Sequence, residues 1–187
     1  TPRKDCKSIA KESLKIFKTL SGVLGANPKD LKEINGIGDN NIFGLKIAQA
    51  VAGRFLAEGI INKDFIRSSD EVLKYLKYNL RDKNREVFLI IYLNGRNQIL
   101  KMEEIFEGTL STTAVYPREV VKRALDNNAA ALIFVHNHPS GNPNPSSDDL
   151  TITKKLKEAA KSIEISVHDH LIIAGDETYS FADHGIL

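Results

Sequence analysis

Residues 130–149 read AALIFVHNHPSGNPNPSSDD. The apolar run that opens this stretch has the length of a buried strand, which we predict over 130–137. Residues at i and i+2 of a strand lie on the same face, so the end of this strand presents His136 and His138 together. Prolines stiffen the following loop, and a helix predicted over 147–162 brings Asp149 back toward the histidines.

Strand and helix patterns alternate on both sides of this stretch. Asn94-Gly95 predicts a hairpin between two strands, and Ser68 with Glu71 has the spacing of a capping box at the start of a helix. The other predicted strands span 86–93, 98–106, 112–115, 165–173 and 178–181, and the other helices of this part span 68–80 and 117–127. This alternation is typical of an α/β domain.

The first third of the chain has a helical pattern, with helices predicted over 5–20, 28–34 and 40–58. Between the last two helices, Gly36-Ile37-Gly38 is a turn in which both glycines are free to adopt positive φ. Residues 59–67 are predicted as a linker.

The charge distribution also favours two domains. Residues 1–63 hold 11 Lys+Arg and 6 Asp+Glu, a net +5, and residues 64–187 hold 15 and 18, a net −3. We therefore predict a small helical domain with its linker over 1–63 and an α/β domain over 64–187. The basic excess permits contact with nucleic acid, and it equally fits a solvated lysine-rich helix face.

The composition is that of a soluble globular protein, with 42% hydrophobic and 27% charged residues. The longest apolar runs are too short to span a bilayer, so no membrane association is expected. No signal peptide is predicted. The single cysteine, Cys6, excludes an internal disulfide and fits a reducing compartment. A cytoplasmic location is expected.

The paired histidines and Asp149 have the chemistry of a metal site. Two imidazoles, one carboxylate and a water complete the tetrahedral coordination of a catalytic Zn²⁺, which keeps one exchangeable position. Ser146 and Asp149 also form an S-x-x-D box, which caps a helix without any metal. Both interpretations stay open, and they are compatible because a cap would also hold Asp149 still.

A hydrolytic zinc site needs a carboxylate that accepts a proton from water. Glu86 begins an apolar strand and could lie at a sheet end, facing the histidines of a neighbouring strand. Glu119 lies in the first turn of a helix, where the helix dipole alone favours a carboxylate. The upstream candidates are Glu86, Glu103, Glu104, Glu107 and Glu119.

At these residues the chain resembles the JAMM (JAB/MPN) metalloproteases. Their signature is an upstream Glu, then H-x-H, seven residues, Ser, two residues and Asp, and it fits His136, His138, Ser146 and Asp149 without a gap. The resemblance implies a JAB/MPN-type mixed sheet flanked by helices, with Glu86 as the catalytic base. It also implies that Ser146 stabilises the oxyanion rather than binding zinc.

Shorter phrases of the sequence resemble the bacterial RadC-like branch of that family. They are HNHPSG at 136–141, GTL at 108–110, PRE at 117–119 and DH at 169–170. The resemblance covers residues from about 68 to 187. Because this family has more sequence before the present first residue, the chain is expected to be a fragment or a processed form.

Residues 1–58 resemble the helix-hairpin-helix region that precedes the JAMM domain in the same branch. Gly36, Ile37 and Gly38 match the turn of that motif, which can bind DNA phosphates through backbone N–H groups. The same motif is also a generic way to pack two helices. DNA is therefore a candidate partner of this small all-α domain.

Taken together, the sequence predicts a zinc-dependent metallopeptidase or isopeptidase that uses a zinc-activated water on a protein or peptide substrate. The alternative is a DNA-associated repair or recombination accessory protein with a structural or vestigial zinc site. A metal-dependent nuclease or nucleotide hydrolase is a third hypothesis, with Arg118 and Arg123 as the nearest cations in sequence. The patterns specify neither an oligomeric state nor a substrate.

Overall fold

The computed structural model describes residues 6–108 and 115–187. The first helices are α1 (Lys7–Phe17), α2 (Leu20–Gly25), α3 (Pro28–Lys32), α4 (Asp39–Glu58) and α5 (Ser69–Leu80). They are followed by β1 (Glu86–Leu93), β2 (Ile99–Gly108), α6 (Pro117–Asp126), β3 (Ala131–Asn137), α7 (Ser147–Lys161), β4 (Ser166–Ala174) and β5 (Glu177–Ser180). Apart from Val115, the strand predicted over 112–115 lies outside the described residues.

The strands form one mixed sheet in the order β2-β1-β3-β4-β5. Only β3 and β4 pair in parallel among the described strands, since α7 carries the chain back across the sheet between them. The other neighbours pair antiparallel. This arrangement confirms the predicted α/β class with a mixed sheet flanked by helices, preceded by a helical region.

Both faces of the sheet are covered, which explains why β1 and β3 read as continuous apolar runs. One face packs against α5 through Val72, Leu76 and Leu80. The other face packs against α6 and α7. Side chains alternate between the faces along β3, so Phe134 and His136 face α7 whereas Val135 faces α5.

The described chain divides into two compact units, residues 1–56 and 57–187. In the first unit, the helix predicted over 5–20 is interrupted at Lys18, which has φ of 66°. Thr19 then caps α2 by accepting a hydrogen bond from the Gly22 N–H at 2.9 Å. The break was not predicted because lysine is a good helix former, and α2 was not predicted because its two glycines lower the helical propensity.

The capping box predicted at Ser68 and Glu71 is absent, although the helix forms as expected. The Ser68 hydroxyl donates to the carbonyl of Asp64 instead of accepting from the helix. Glu71 pairs with Lys63 at 2.5 Å. Both side chains thus bond to residues that precede the helix. The Ser68–Glu71 spacing alone does not predict these partners.

Residues predicted as a linker pack within the second unit. Ile60 is only 2% exposed and belongs to the core on the α5 face. The N–H groups of Asn62 and Phe65 donate to the carbonyls of Ile99 and Asn97, at 2.8 and 2.9 Å. The described chain divides after residue 56, whereas the sequence predicts the domain boundary after residue 63.

No helix within residues 6–108 and 115–187 is both long enough and apolar enough to cross a membrane.

The packing of residues 59–67 leads to a stability prediction. Ile60→Ala should lower the free energy of unfolding by about 2–5 kcal/mol, because it leaves a cavity in the core. The matched control is Ile66→Ala, in the same segment but 69% exposed, which should change stability by no more than about 0.5 kcal/mol. Urea denaturation measures both variants, and equal, small effects would mean that the segment is the unpacked linker that its sequence suggests.

Candidate metal centre

The two histidines predicted as ligands lie where β3 leaves the sheet. His136 is fully buried on the α7 face and stands opposite Phe88 of β1. The rings of Phe88 and His136 stack nearly parallel, with centroids 6.4 Å apart. His138 follows on the same side, just past the strand end, and is partly exposed. The strand therefore presents one buried and one accessible imidazole to the same point.

Asp149 reaches that point from the first turn of α7. Ser146 caps the helix by accepting from the Asp149 N–H at 3.1 Å, and its own N–H donates to Asp149 Oδ2 at 2.7 Å. The S-x-x-D box is thus formed. The reciprocal bonds fix the Asp149 side chain, so the cap and a ligand role coexist in one geometry.

The three predicted ligands converge closely. The two Nε2 atoms of His136 and His138 lie 2.9 Å apart. Asp149 Oδ1 lies 3.2 Å from Nε2 of His136, and Asp149 Oδ2 lies 3.3 Å from Nε2 of His138. One ligand atom from each residue falls within a 4.8 Å span, so the group could hold a metal ion.

Hydrogen bonding around His138 shows that this group suits a cation. Nδ1 of His138 lies 2.7 Å from the carbonyl oxygen of Asn142. A carbonyl can only accept, so Nδ1 carries the proton and a neutral His138 turns the lone pair of Nε2 toward the cluster. That lone pair faces a carboxylate that carries negative charge. A proton or a metal cation between them is needed to offset the repulsion.

The pKa shifts agree with this picture. Burial alone would raise the pKa of Asp149, but the adjacent imidazoles of His136 and His138 outweigh it and hold that pKa well below its usual range. The hydrogen bond to Asp149 raises the pKa of His138 despite partial burial. Burial lowers the pKa of His136, and Asp149 only partly offsets it. Burial thus favours the neutral form of His136, the form that binds metals.

Glu86 lies on the same side of the sheet as the histidines. It precedes Phe88 by two residues, so it shares the face of Phe88, and Phe88 pairs with His136. Its negative charge acts to raise the pKa of both His136 and His138. Glu86 also lines a cleft of about 550 Å³, together with Asn84, Arg85, Gly108, Pro139 and Ser140.

The other candidate carboxylates are engaged elsewhere or face away. Glu103 accepts from the Tyr92 hydroxyl at 2.9 Å and from Arg123 at 3.0 Å. Glu104 lies 3.8 Å from Lys83, and Glu119 lies 3.5 Å from Arg118. Glu107 is exposed beside Val87, on the opposite face of the sheet from Glu86. Among the five, Glu86 shares the face of the sheet that carries His136 and acts electrostatically on both histidines; its role as base stays a prediction.

Asn137, which the sequence interpretation passed over, holds the start of β1 in place. Its Oδ1 accepts from the Val87 N–H at 2.7 Å, and its Nδ2 donates to the carbonyl of Arg85 at 3.1 Å. These two residues flank Glu86, so the residue between the two histidines anchors the backbone that carries the carboxylate. The sequence feature that could have identified Asn137 is a polar residue within an apolar strand that is predicted to be buried.

The predicted DNA-contact residues have local roles within the first unit. Gly36 adopts φ of 95°, and a Cβ there would lie 2.7 Å from Ile9 Cδ1. Gly38 does not use the freedom to adopt positive φ, and its N–H donates to Asn41 Oδ1 at 3.1 Å. The N–H of Ile37 donates to the Ile34 carbonyl. DNA binding at this turn stays a prediction.

Comparison with known proteins gives a consistent result. Residues 66–186 match the family described as the RadC-like JAB domain. The chain is 41% identical to a UPF0758 protein of Nitrosospira multiformis over 184 residues, which cover 98% of the chain and 82% of the relative. It is 41% identical to one of Aliivibrio salmonicida, over 95% of the chain and 79% of the relative. A third, of Haemophilus influenzae, is 39% identical, over 98% and 84%.

The cluster predicts one divalent metal ion per chain. Replacing both His136 and His138 with Ala should abolish binding, because only one of the three ligands would remain. His168→Ala is the matched control, since that histidine is exposed and bonds to Asn97 away from the cluster. Metal analysis by mass spectrometry reads both variants, and full occupancy in the double variant would show that the ligands have been assigned wrongly.

The raised pKa of His138 predicts how metal affinity depends on pH. A protonated imidazole cannot bind a metal, and the pKa of His138 lies above its usual value. Affinity should therefore fall as the pH is lowered through that raised pKa, starting at a higher pH than an ordinary histidine would give. Calorimetric titration at several pH values measures this, and a flat profile across the neutral range would contradict it.

Proposed function

The chain belongs to the RadC-like JAB domain family, and on that premise we propose that it is a zinc-dependent hydrolase of amide bonds, a metallopeptidase or isopeptidase. The observation that carries the proposal is the convergence of His136, His138 and Asp149, with Glu86 on the same face of the sheet. Two imidazoles and a carboxylate are the donor set of a catalytic zinc site with an open position.

A zinc ion held by these three residues would polarise a carbonyl group and lower the pKa of water. Glu86 would then accept a proton from the attacking water and pass it to the leaving amine. Its placement in the cleft supports both steps, because a cleft of about 550 Å³ is in the size range of ligand pockets. The backbone bonds of Asn137 would keep the Glu86 carboxylate in register with the histidines while the proton moves.

We propose that Ser146 stabilises the developing oxyanion. Ser146 is an exposed residue, and its hydroxyl donates to Asp149 Oδ2 at 2.6 Å. To stabilise substrate, the hydroxyl would rotate from the carboxylate toward the carbonyl oxygen, and the backbone N–H of Ser146 would keep holding Asp149. The serine could thus serve both the ligand and the substrate.

We propose a peptide or isopeptide as the substrate. The cleft beside Glu86 has a volume in the range of small-molecule and peptide-side-chain sites. Hydrolysis of a phosphate ester would call for cations near the metal. The two arginines considered for that role are paired with carboxylates, Arg118 with Glu119 and Arg123 with Glu103, and the cation that lines the cleft is Arg85. What favours an amide is the donor set of two histidines and a carboxylate, which zinc peptidases use. A cytoplasmic location is also proposed, consistent with the single cysteine.

The Glu86 carboxylate offers the sharpest test of this proposal. Glu86→Gln should retain zinc, because Glu86 is not proposed as a ligand, and should lose hydrolysis by about 10²–10⁴-fold, the usual contribution of a positioned acid–base group. A peptide-library cleavage screen with zinc-loaded protein supplies the substrate for this comparison.

Glu107→Gln is the matched control, since it makes the same charge change on the opposite face of the sheet. It should leave the rate unchanged. If Glu107→Gln were inactive and Glu86→Gln active, Glu86 would be the wrong choice of catalytic base. A zinc-loaded wild type that cleaves nothing in the screen would count against the proposed hydrolase activity itself.

A further inference from the structure

We propose that His170 and Thr153 are positioning residues that fix the tautomer of His136, so that its Nε2 lone pair is presented to the metal. This inference rests on the proposed metal centre. Neither residue belongs to the predicted ligand set, and both are buried, with His170 at 0% and Thr153 at 3% exposure.

The three side chains form an unbroken chain of hydrogen bonds beneath the metal group. Nδ1 of His136 lies 2.8 Å from Nε2 of His170. Nδ1 of His170 lies 2.6 Å from Oγ1 of Thr153. The Thr153 Oγ1 in turn lies 2.5 Å from the backbone carbonyl oxygen of Asp149. This series of hydrogen bonds therefore begins at His136, one proposed ligand, and ends at the backbone of Asp149, another.

The position of every proton in this chain follows from its last member. The carbonyl of Asp149 can only accept, so the Thr153 hydroxyl donates its single proton to it. Thr153 Oγ1 must then accept from His170, which places the His170 proton on Nδ1 and leaves Nε2 as an acceptor. His136 must consequently donate from Nδ1. The only tautomer of neutral His136 that satisfies the chain leaves Nε2 free to bind a metal.

The fold aims His170 into this position through a register shift in β4. Leu132 pairs with Val167, whereas Ile133 pairs with Asp169, so His168 is an extra residue between them. Without it, alternation would place His170 on the opposite face from Val167. With it, His170 stands opposite Phe134 and faces α7. Register shifts of this kind commonly re-aim a side chain beside a functional site.

Aromatic rings enclose His170 and leave it few polar partners. Phe181 stacks on its ring at a centroid distance of 4.8 Å. Phe88 and Phe134 approach edge-on at 5.6 and 5.8 Å. A buried polar group in such a setting is costly unless it is hydrogen-bonded, so the bonds to His136 and Thr153 are strongly favoured. The enclosure also keeps water from substituting for either partner.

Zinc affinity tests the proposal without relying on catalysis. His170→Phe retains a ring of similar size but removes the acceptor for His136, and it should weaken zinc binding by about 10–100-fold, the usual effect of losing a residue that orients a ligand. His170→Gln restores an acceptor and should recover part of the affinity. Thr153→Val should weaken binding, and Thr153→Ser should retain it. Competition with a chromophoric zinc chelator measures each variant.

Leu171→Ala is the control for a general loss of stability. Leu171 is the next residue on β4 but belongs to the core on the α5 face, so the substitution should destabilise the fold without changing zinc affinity. If His170→Phe binds zinc as tightly as the wild type, the proposal is overturned. A fall in affinity with Leu171→Ala equal to that with His170→Phe would overturn it as well.

A second measurement needs no substitution, so it decides the question even where a variant fails to fold. Long-range ¹H–¹⁵N correlation spectra of the metal-free wild type, recorded at alkaline pH, distinguish the two neutral tautomers of each histidine. His170 and His136 should both carry the proton on Nδ1. A proton on Nε2 of either ring would overturn the assignment.

The outcomes also separate this proposal from the proposed function. A wild type that binds zinc but hydrolyses no amide would remove the hydrolase and leave the positioning role intact. If the wild type hydrolyses amides and His170→Phe leaves zinc affinity unchanged, the positioning role is removed and the proposed hydrolase activity stands. A wild type with no measurable zinc affinity would overturn both.

Discussion

The candidate site depends on the carboxylate of Asp149, which meets two demands at once. It accepts the N–H of Ser146 at the exposed start of α7, and it faces His136 and His138 at the end of β3. The end of β3 is joined to the start of α7 by residues 138–146, in which three prolines stiffen the backbone. A small displacement of this helix would therefore disturb the cap and the cluster together.

The polar residues beneath this cluster are buried in a core that is otherwise apolar. His136, His170, Thr153 and Asn137 are each 3% exposed or less, and each has its hydrogen-bond partners within the fold. A satisfied buried network is rigid, whereas a partly satisfied one is strongly destabilising. The same bonds that make these groups tolerable in the core also orient the ligands, so stability and metal geometry are coupled in the second unit.

The two units differ in how their key residues are used. In the second unit, His136 and His138 at the end of β3 face Asp149 at the start of α7, and a metal ion would bind between these three side chains. In the first, the conformational freedom of Gly36 is used for a close approach to Ile9, and the N–H of Gly38 bonds to Asn41. Lys32 and Asp39 pair at 2.7 Å beside the same turn. These contacts fit the interpretation of the turn as helix packing, and DNA binding there stays a prediction.

The sequence by itself determined the α/β class, most strand and helix bounds and the group His136, His138 and Asp149, because periodicity and ligand spacing are local properties of the chain. The residue pattern left five carboxylates as candidates for the base, and the family resemblance chose Glu86. Strand pairing then put Glu86 on the face of the sheet that carries the histidines. The packing of Ile60 and the role of His170 were decided by tertiary structure, because they depend on residues distant in sequence and on a one-residue register shift. The cap at Thr19 after the break at Lys18 and the partner of Ser68 are local, but alternative local hydrogen bonds compete there and spacing alone does not choose between them.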